Sequence, residues 1–356
     1  MLHGIDHIEL WVGNARQAAA FLSYGFGFAV TAYGGPETGI KDRASYVLVQ
    51  GDVCFVVTAA LHAGSEIAAH VRRHGDGVRS IAFAVDDAER AFRTVVARGA
   101  CPSQTPVTEH DADGAVAQAS IRVYGDTLHT FVDRRDYTGV FLPGYVTTRA
   151  DRYSSIGFER FDHVVANVGQ GALDHWVRYY ERVFGFDRLT HFDADSIHTE
   201  YSALASTVMW DHGGVVLPIN EPAPGRRKSQ IDEYLEYYGA PGIQHIALRT
   251  RDIVSCVRAL RERGIRFLDV PSEYYDDARG RLAGVDVAWD EIEELNVLVD
   301  RDNDGHLLQI FTETFGDRPT LFFEIIERRG AVGFGEGNFR ALFEAIERAQ
   351  ARRGNL

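Results

Sequence analysis

Cysteine is scarce in this chain, and the little there is does not cluster. The three residues Cys54, Cys101 and Cys256 lie far apart among 356, with no C-x-x-C spacing. That excludes a disulfide framework and a thiolate zinc site. A basic surface is missing too: the formal charge of −14 speaks against nucleic acid or an anionic membrane, both of which select a positive face. No apolar run approaches membrane-spanning length. The opening residues Met1-Leu2-His3-Gly4-Ile5-Asp6 lack the basic and apolar regions of a secretory signal. These absences predict a cytoplasmic protein with no nucleic-acid and no membrane partner. Small molecules and copies of itself remain, and a homo-oligomer (dimer or tetramer) is expected.

What is present is an ordinary globular composition, 45% hydrophobic and 25% charged, in a chain long enough for two domains or one large one. Its main organising feature is an internal repeat. Gly4-Ile5-Asp6-His7-Ile8-Glu9-Leu10 is followed by an amphipathic stretch and Phe26-Gly27-Phe28. Phe161-Asp162-His163-Val164-Val165 is followed by another such stretch and Phe184-Gly185-Phe186. The pattern returns at Asp76–Phe83 and Pro241–Leu248, each with a helix after it, over 88–98 and 252–263, that ends at a glycine. Strand-like runs fill much of the rest: Ala44–Val49, Val53–Thr58, Ala117–Val123, Thr207–Trp210, Val215–Ile219 and Leu307–Thr312. Helices alternate with groups of strands, so the expected class is α+β, with four βαβββ modules in two pairs. The pairs meet in a polar linker near 145–158.

Comparing the pairs separates candidate chemistry from scaffold. Asp6-His7 matches Asp162-His163, but Ser80 stands where His245 stands. Glu324 interrupts the apolar run Leu321-Phe322-Phe323-Glu324-Ile325-Ile326, and a buried carboxylate calls for a cation, a metal or a proton. The apparent match of Gln309 is His129, and the spacing that leads from Gln309 to Glu324 leads from His129 to Gly144. Chemistry is therefore expected in the second half, where His163, His245 and Glu324 form the donor set of an octahedral iron site with open positions. Taken singly, a strand histidine is more often a core residue, and Glu324 has rival partners in Arg318 and Arg328. Ser206, Asn220, Gln230, Gln244 and Gln309 are neutral polar residues in apolar company, suited to a small-molecule pocket. Phe311, Phe334 and Phe339 are either plain core or walls for an aromatic ring. Ser229 with Asp232 reads as a helix start. The Gly333–Gly337 stretch has the wrong spacing for a dinucleotide fingerprint, and it is expected to act as a hinge before a helix over Asn338–Arg352.

Several segments together resemble the 4-hydroxyphenylpyruvate dioxygenase family. They are Pro218-Ile219-Asn220-Glu221-Pro222, Lys228-Ser229-Gln230-Ile231, Gln244-His245-Ile246-Ala247-Leu248, Leu298-Val299-Asp300-Arg301-Asp302, Leu308-Gln309-Ile310-Phe311-Thr312, Glu324-Ile325-Ile326-Glu327 and Gly333-Phe334-Gly335 through Asn338-Phe339. The resemblance covers essentially the whole chain and is densest in the second half. It implies the vicinal-oxygen-chelate (glyoxalase/bleomycin-resistance-like) fold in two open-barrel domains. Residues 1–150 would be structural, without a metal site. Residues 151–356 would be catalytic, with a gating C-terminal helix. His163, His245 and Glu324 would hold Fe(II). Ser206, Asn220, Gln230, Gln244 and Gln309 would act on the substrate, and Pro218, Phe311, Phe334, Asn338 and Phe339 would bind it. The implied partners are a 2-oxo acid and O₂, and the implied reaction is 4-hydroxyphenylpyruvate to homogentisate and CO₂ in tyrosine and phenylalanine catabolism. The alternatives are a 4-hydroxymandelate synthase, in whose resemblance an aliphatic residue replaces Phe339, an extradiol ring-cleaving enzyme, and a non-catalytic binding protein of the same fold.

Overall fold

The computed structural model describes residues 2–148, 154–192 and 203–355; residues 149–153 of the expected linker lie outside them. The first half runs β1 (Leu2–Trp11), α1 (Ala15–Phe26), β2 (Ala29–Gly34), β3 (Arg43–Gln50), β4 (Val53–Ala60), α2 (Glu66–His74), β5 (Gly77–Val85) and α3 (Ala88–Ala97). It continues through β6 (Cys101–Asp111), β7 (Gly114–Arg122), β8 (Leu128–Asp133) and the short β9 (Val146–Thr147). The second half runs β10 (Phe158–Asn167), α4 (Leu173–Phe184), β11 (Asp187–Phe192), β12 (Ala203–Trp210), β13 (Val216–Ala223), α5 (Gln230–Tyr238), β14 (Gly242–Thr250) and α6 (Ile253–Glu262). After α7 (Ser272–Arg281) and α8 (Trp289–Glu294) come β15 (Leu298–Arg301), β16 (His306–Phe311), β17 (Phe322–Arg329) and α9 (Phe339–Arg353).

Each half thus holds two βαβββ modules whose strands join into one curled sheet. The strand orders are β6-β7-β8-β5-β1-β4-β3-β2-β9 and β11-β12-β13-β10-β14-β17-β16-β15. Reversed, the second order matches the first from β6 through β2, and β9 alone has no counterpart among the described residues. In each half the two modules meet at an antiparallel central pair, β1 with β5 and β10 with β14, flanked by parallel neighbours.

Local sequence explains the helix ends. Asn14, Ser65, Asp87 and Asp252 each accept a backbone N–H of the first turn, satisfying donors that the helix leaves open. Gly27 and Gly185 take the left-handed conformation after α1 and α4, a backbone state costly for any residue with a Cβ. The strands β6, β8, β9 and β15 and the helices α2, α7 and α8 had no stretch assigned to them from sequence, whereas β2 and β11 begin directly after the two Phe-Gly-Phe closures, as expected. β6 is exposed over nearly its whole length and so carries no apolar alternation to announce it.

The halves share one continuous apolar cluster. Phe26, Phe28 and Phe55 pack on Phe158, Phe161 and Phe323 across the joint. Gln50 is also buried there: its amide donates to the Phe26 carbonyl at 2.8 Å, and its Oε1 accepts the backbone N–H groups of Ile156 and Phe158. That fastens the incoming chain of the second half to the first.

The correspondence of strands corrects the residue matching made from sequence. Since β17 is the counterpart of β8, the residue facing Ala247 across the β14–β17 ladder is Glu324, and the one facing Ala82 across β5–β8 is Thr130. Glu324 therefore corresponds to Thr130, not Gly144. By the same ladders Gln309, paired with Ile326, corresponds to Gln118, paired with Val132, and not to His129. Two length differences lie behind this: residues 265–297 carry α7 and α8 where the first half passes almost directly from α3 to β6, and the step from Gln309 to Glu324 is longer than that from Gln118 to Thr130.

Candidate metal centre

Register brings the three candidate ligands together. On the antiparallel β10–β14 pair, Val165 lies opposite His245 and Ala247 opposite His163; on the parallel β14–β17 pair, Ala247 is level with Glu324. Directly paired residues project to the same face, so His163, His245 and Glu324 point into one concavity around the small Ala247. His163 Nε2 is 3.1 Å and His245 Nε2 3.5 Å from Glu324 Oε2. All three side chains are buried.

Each histidine is held by its other nitrogen. His163 Nδ1 donates to Asp162 Oδ1 at 2.8 Å, and Asp162 in turn accepts two bonds from Arg328, both at 2.8 Å. His245 Nδ1 donates to Gln244 Oε1 at 3.2 Å. Both Nε2 atoms are thereby left to face the centre, the usual orientation of a metal-ligating imidazole with its outer partner. Arg328 also donates to the Gly333 carbonyl at 2.6 Å and lies over the Phe334 ring. Neither rival claim on Glu324 holds: Arg328 is committed to Asp162, and Arg318 donates to the carbonyls of Arg72, Arg73 and Tyr237.

Electrostatics follow from this arrangement. Burial alone would raise the Glu324 carboxyl, but the facing imidazoles outweigh it and pull the group down to about 2. Burial likewise disfavours a charged His163, yet Glu324 and Asp162 raise it to about 9. For His245 burial prevails and lowers it. Glu324 Oε1 has no hydrogen-bond partner although fully enclosed, a costly condition for a charged oxygen. A bound cation relieves that cost. The donor set of two imidazoles and one carboxylate suits a divalent transition metal, so these residues fit one.

Above the triad opens a cavity with a mostly apolar lining and a few polar side chains, the usual make-up of a small-molecule site. Ser206, Pro218, Asn220, Gln230, Gln244, Gln309, Phe311, Phe334 and Phe339 all lie on its wall. Ser206 and Asn220 are direct cross-strand neighbours of β12 and β13, and Gln309 and Phe311 alternate inward on β16. Gln230 opens α5, fixed there by the expected capping box between Ser229 and Asp232. Gln244 links inward, its amide donating to Gln230 Oε1 at 3.5 Å. Gly335, at φ +73°, lies so close to the Gln309 amide that a Cβ there would meet it at 2.7 Å.

Asn338 is a correction. It does not line the cavity but is wholly buried behind it, its Oδ1 accepting the Tyr274 hydroxyl at 2.6 Å. The helix it precedes turns a different set of residues inward: Leu342, Phe343 and Ile346. With Val165, Phe192, Leu204, Val208 and Phe322 they complete the wall. None of these was assigned to a pocket from sequence, although Leu342, Phe343 and Ile346 stand at helical spacing there, because apolar residues at strand or helix spacing look the same whether they face a core or a ligand. The α9 helix packs over the mouth, with Ala341, Ala345, Ile346 and Ala349 against Phe311 and Phe322. The glycine-rich turn before it, expected as a hinge, is pinned in this arrangement: Asp302 Oδ2 accepts the N–H groups of Val332 and Gly333, and Asp300 Oδ2 that of Gly337.

Known proteins give the following likenesses. Residues 4–142 match the family described as hydroxyphenylpyruvate dioxygenase, N-terminal, and residues 160–310 match the glyoxalase/bleomycin resistance protein/dioxygenase superfamily. A 4-hydroxyphenylpyruvate dioxygenase of Yarrowia lipolytica is 45% identical over 99% of this chain and 93% of its own. One of Dictyostelium discoideum is 45% identical with 100% of both chains covered. Among solved structures, a triply substituted 4-hydroxymandelate synthase of Streptomyces coelicolor superposes with a TM-score of 0.88 at 36% identity, over 98% of this chain and 99% of that one. A Mn(II)-bound glyoxalase of Novosphingobium aromaticivorans, at 12% identity and a TM-score of 0.51, shares the fold.

Proposed function

We infer the reaction from one premise: the chain belongs to the 4-hydroxyphenylpyruvate dioxygenase family. It converts 4-hydroxyphenylpyruvate and O₂ to homogentisate and CO₂, through oxidative decarboxylation, ring hydroxylation and migration of the side chain. The fold is that of the vicinal-oxygen-chelate superfamily, and among the described residues no helix is long and apolar enough to cross a membrane. The observation that supports a metal-dependent reading is the meeting of two imidazoles and Glu324, with its orphaned Oε1, at the base of a pocket.

His163, His245 and Glu324 would hold the metal, and we propose that it is Fe(II), the ion this donor set serves in oxygenases. Bound there, the iron would supply the binding of the 2-oxo acid and the activation of O₂. The protein's own share is orientation and dryness. Asp162 and Gln244 keep the imidazole Nε2 atoms turned to the centre. Gln309, next to Glu324's strand, would meet the polar end of the substrate near the metal. Ser206, Asn220 and Gln230, neutral and set among apolar residues, would orient the phenol without ionising it. Phe334 and Phe339 would fix the ring plane. Phe334 is itself set edge-on to His163 at 5.2 Å, and Phe339 edge-on to Phe192 at 5.0 Å, so neither ring is free to drift; a misplacement of about 1 Å can cost ~100-fold in rate. The α9 helix would exclude water while it is seated.

The test is aerobic turnover of 4-hydroxyphenylpyruvate by Fe(II)-loaded protein, with products identified. One homogentisate and one CO₂ per O₂ is the expected result. Accumulation of 4-hydroxymandelate instead would assign the chain to the sister chemistry, and no Fe(II)-dependent turnover at all would overturn the reading.

A further inference from the structure

A second group of potential ligands lies outside the catalytic cavity, where the halves meet. His70 and His74 stand four residues apart on α2, the spacing that places two imidazoles on one helix face. Both are buried. Asp126, in the turn between β7 and β8, reaches the same point from a half-exposed position. One nitrogen of each ring and a carboxylate oxygen of Asp126 all lie within 4.8 Å of one another. Among the described residues, the only other group that meets this condition is the triad itself.

The hydrogen bonds of the two rings are incomplete in a telling way. His74 Nδ1 sits 2.6 Å from the carbonyl oxygen of Tyr238. A carbonyl only accepts, so Nδ1 carries the hydrogen and Nε2 turns a lone pair to Asp126 Oδ2 at 2.8 Å. Two acceptors at that distance need a proton or a cation between them. His70 is stranded beside them, with both ring nitrogens enclosed and no partner for either, a condition that costs free energy. In its neutral form that ring has a lone pair to give. A proton on His74 would satisfy Asp126 and leave His70 alone; a cation shared by the three also engages one nitrogen of His70.

We propose that His70, His74 and Asp126 form a second divalent-metal site, of the zinc class, distinct from the catalytic centre. Two imidazoles and a carboxylate are donors that zinc accepts, with a water in the fourth position, for which Asp126 leaves an opening to solvent. The Tyr238 carbonyl is the outer partner that fixes the ligating tautomer of His74. Tetrahedral zinc would need ligand atoms roughly 3.4 Å apart, so side-chain adjustments would bring the three atoms, now within 4.8 Å of one another, to that spacing and open the 2.8 Å His74–Asp126 pair. Arg79 and Arg73 also face the cluster. The first is paired with Glu66 and donates to the Asp126 carbonyl; the second is exposed, 3.4 Å from Asp126 Oδ2. Their charge moderates the affinity. The site's place gives it a role: Tyr238 belongs to α5 of the second half and stacks on His74 with ring centroids 4.4 Å apart, so a metal here clamps α2 and the β7–β8 turn against the other half.

Equilibrium dialysis of the full-length protein against Zn(II), with metal and protein quantified after desalting, tests this. The wild type should retain two equivalents, and His70→Gln and Asp126→Ala one each. Fe(II)-dependent turnover of both variants should remain within twofold of wild type, since neither residue lines the catalytic cavity. Asp126 is half-exposed, so Asp126→Ala remains informative even if His70→Gln folds poorly. A wild type that holds one equivalent, or a folded variant that still holds two, overturns the proposal.

Discussion

Asp6-His7 and Asp162-His163 occupy equivalent places in the two halves and make nearly identical contacts. In the first half His7 Nδ1 donates to Asp6 at 2.6 Å, and Asp6 accepts two bonds from Arg134 at 2.6 and 2.8 Å. Arg134 reaches the Phe141 carbonyl and covers its ring, which meets His7 edge-on at 5.1 Å. In the second half His163, Asp162, Arg328, Gly333 and Phe334 repeat this arrangement. What differs is the pair beside it. Ser80 and Thr130 stand at the places of His245 and Glu324, joined to each other by a 2.8 Å hydrogen bond. The Asp-His-Arg frame is therefore a device of the fold, present with or without the other two ligands. In the proposed reaction, catalytic identity resides on β14 and β17. A histidine after an aspartate at the start of such a strand is not by itself evidence of a metal.

This contrast can be broken most directly at the ligands. His245→Ala should abolish homogentisate formation with the far-UV circular dichroism retained, whereas Ser80→Ala should leave turnover within twofold; an active His245→Ala would sink the assignment of the triad. Next comes the shared frame. Asp162→Asn should lower Fe(II) affinity or turnover roughly 10–100-fold, as expected for loss of a charged outer partner, while Asp6→Asn should cost stability alone. Denaturant midpoints and steady-state kinetics on the two variants separate these effects, and equal kinetic losses would show that the halves are coupled. Phe339→Leu is a smaller probe of the ring wall. It should keep most O₂ consumption while 4-hydroxymandelate appears beside homogentisate, and an unchanged product ratio would remove Phe339 from the control of ring position.

The smallest effect concerns His129, which stands in β8 where β17 has Phe323. Burial lowers its imidazole to about 3. Between the ordinary histidine value and 3 the unfolded chain binds a proton that the folded protein does not, so stability should fall as pH drops below ~6.5, by at most about 1.4 kcal/mol per pH unit. In His129→Phe that slope should flatten, even though the variant loses the 2.7 Å bond to the Tyr180 hydroxyl. Urea midpoints measured from pH 7 to 5 decide it, and parallel slopes would show that His129 does not titrate with unfolding.

Much of the site was legible because its signals are local. The strands bearing His163, His245 and Glu324 announce themselves by apolar, β-branched runs around one polar residue, and the capping pair Ser229 and Asp232 places Gln230 at the start of its helix. The cost of burying Glu324 was likewise readable without coordinates. Partner choice was not. Arg328 lies four residues from Glu324 yet serves Asp162, 166 positions away, because residues two or four apart on a strand share a face without touching. The two histidines of α2 gave no warning, since their significance depends on Asp126 and on the Tyr238 carbonyl.

By itself, then, the sequence determined the module: strand, helix and strand lengths, the Asp-His doublet at the head of each half, and the loss of histidine at Ser80. Only the tertiary structure decided which residues face one another. The insertion at 265–297 and the longer β16–β17 connection together hide the equivalence of Glu324 with Thr130, and a strand ladder, being a non-local pairing, restores it. The packing of α9 on Phe311 and Phe322 decides that Asn338 lies behind the pocket while Leu342 and Ile346 line it. Periodicity fixes which side of an element is apolar, and packing alone fixes what that side meets.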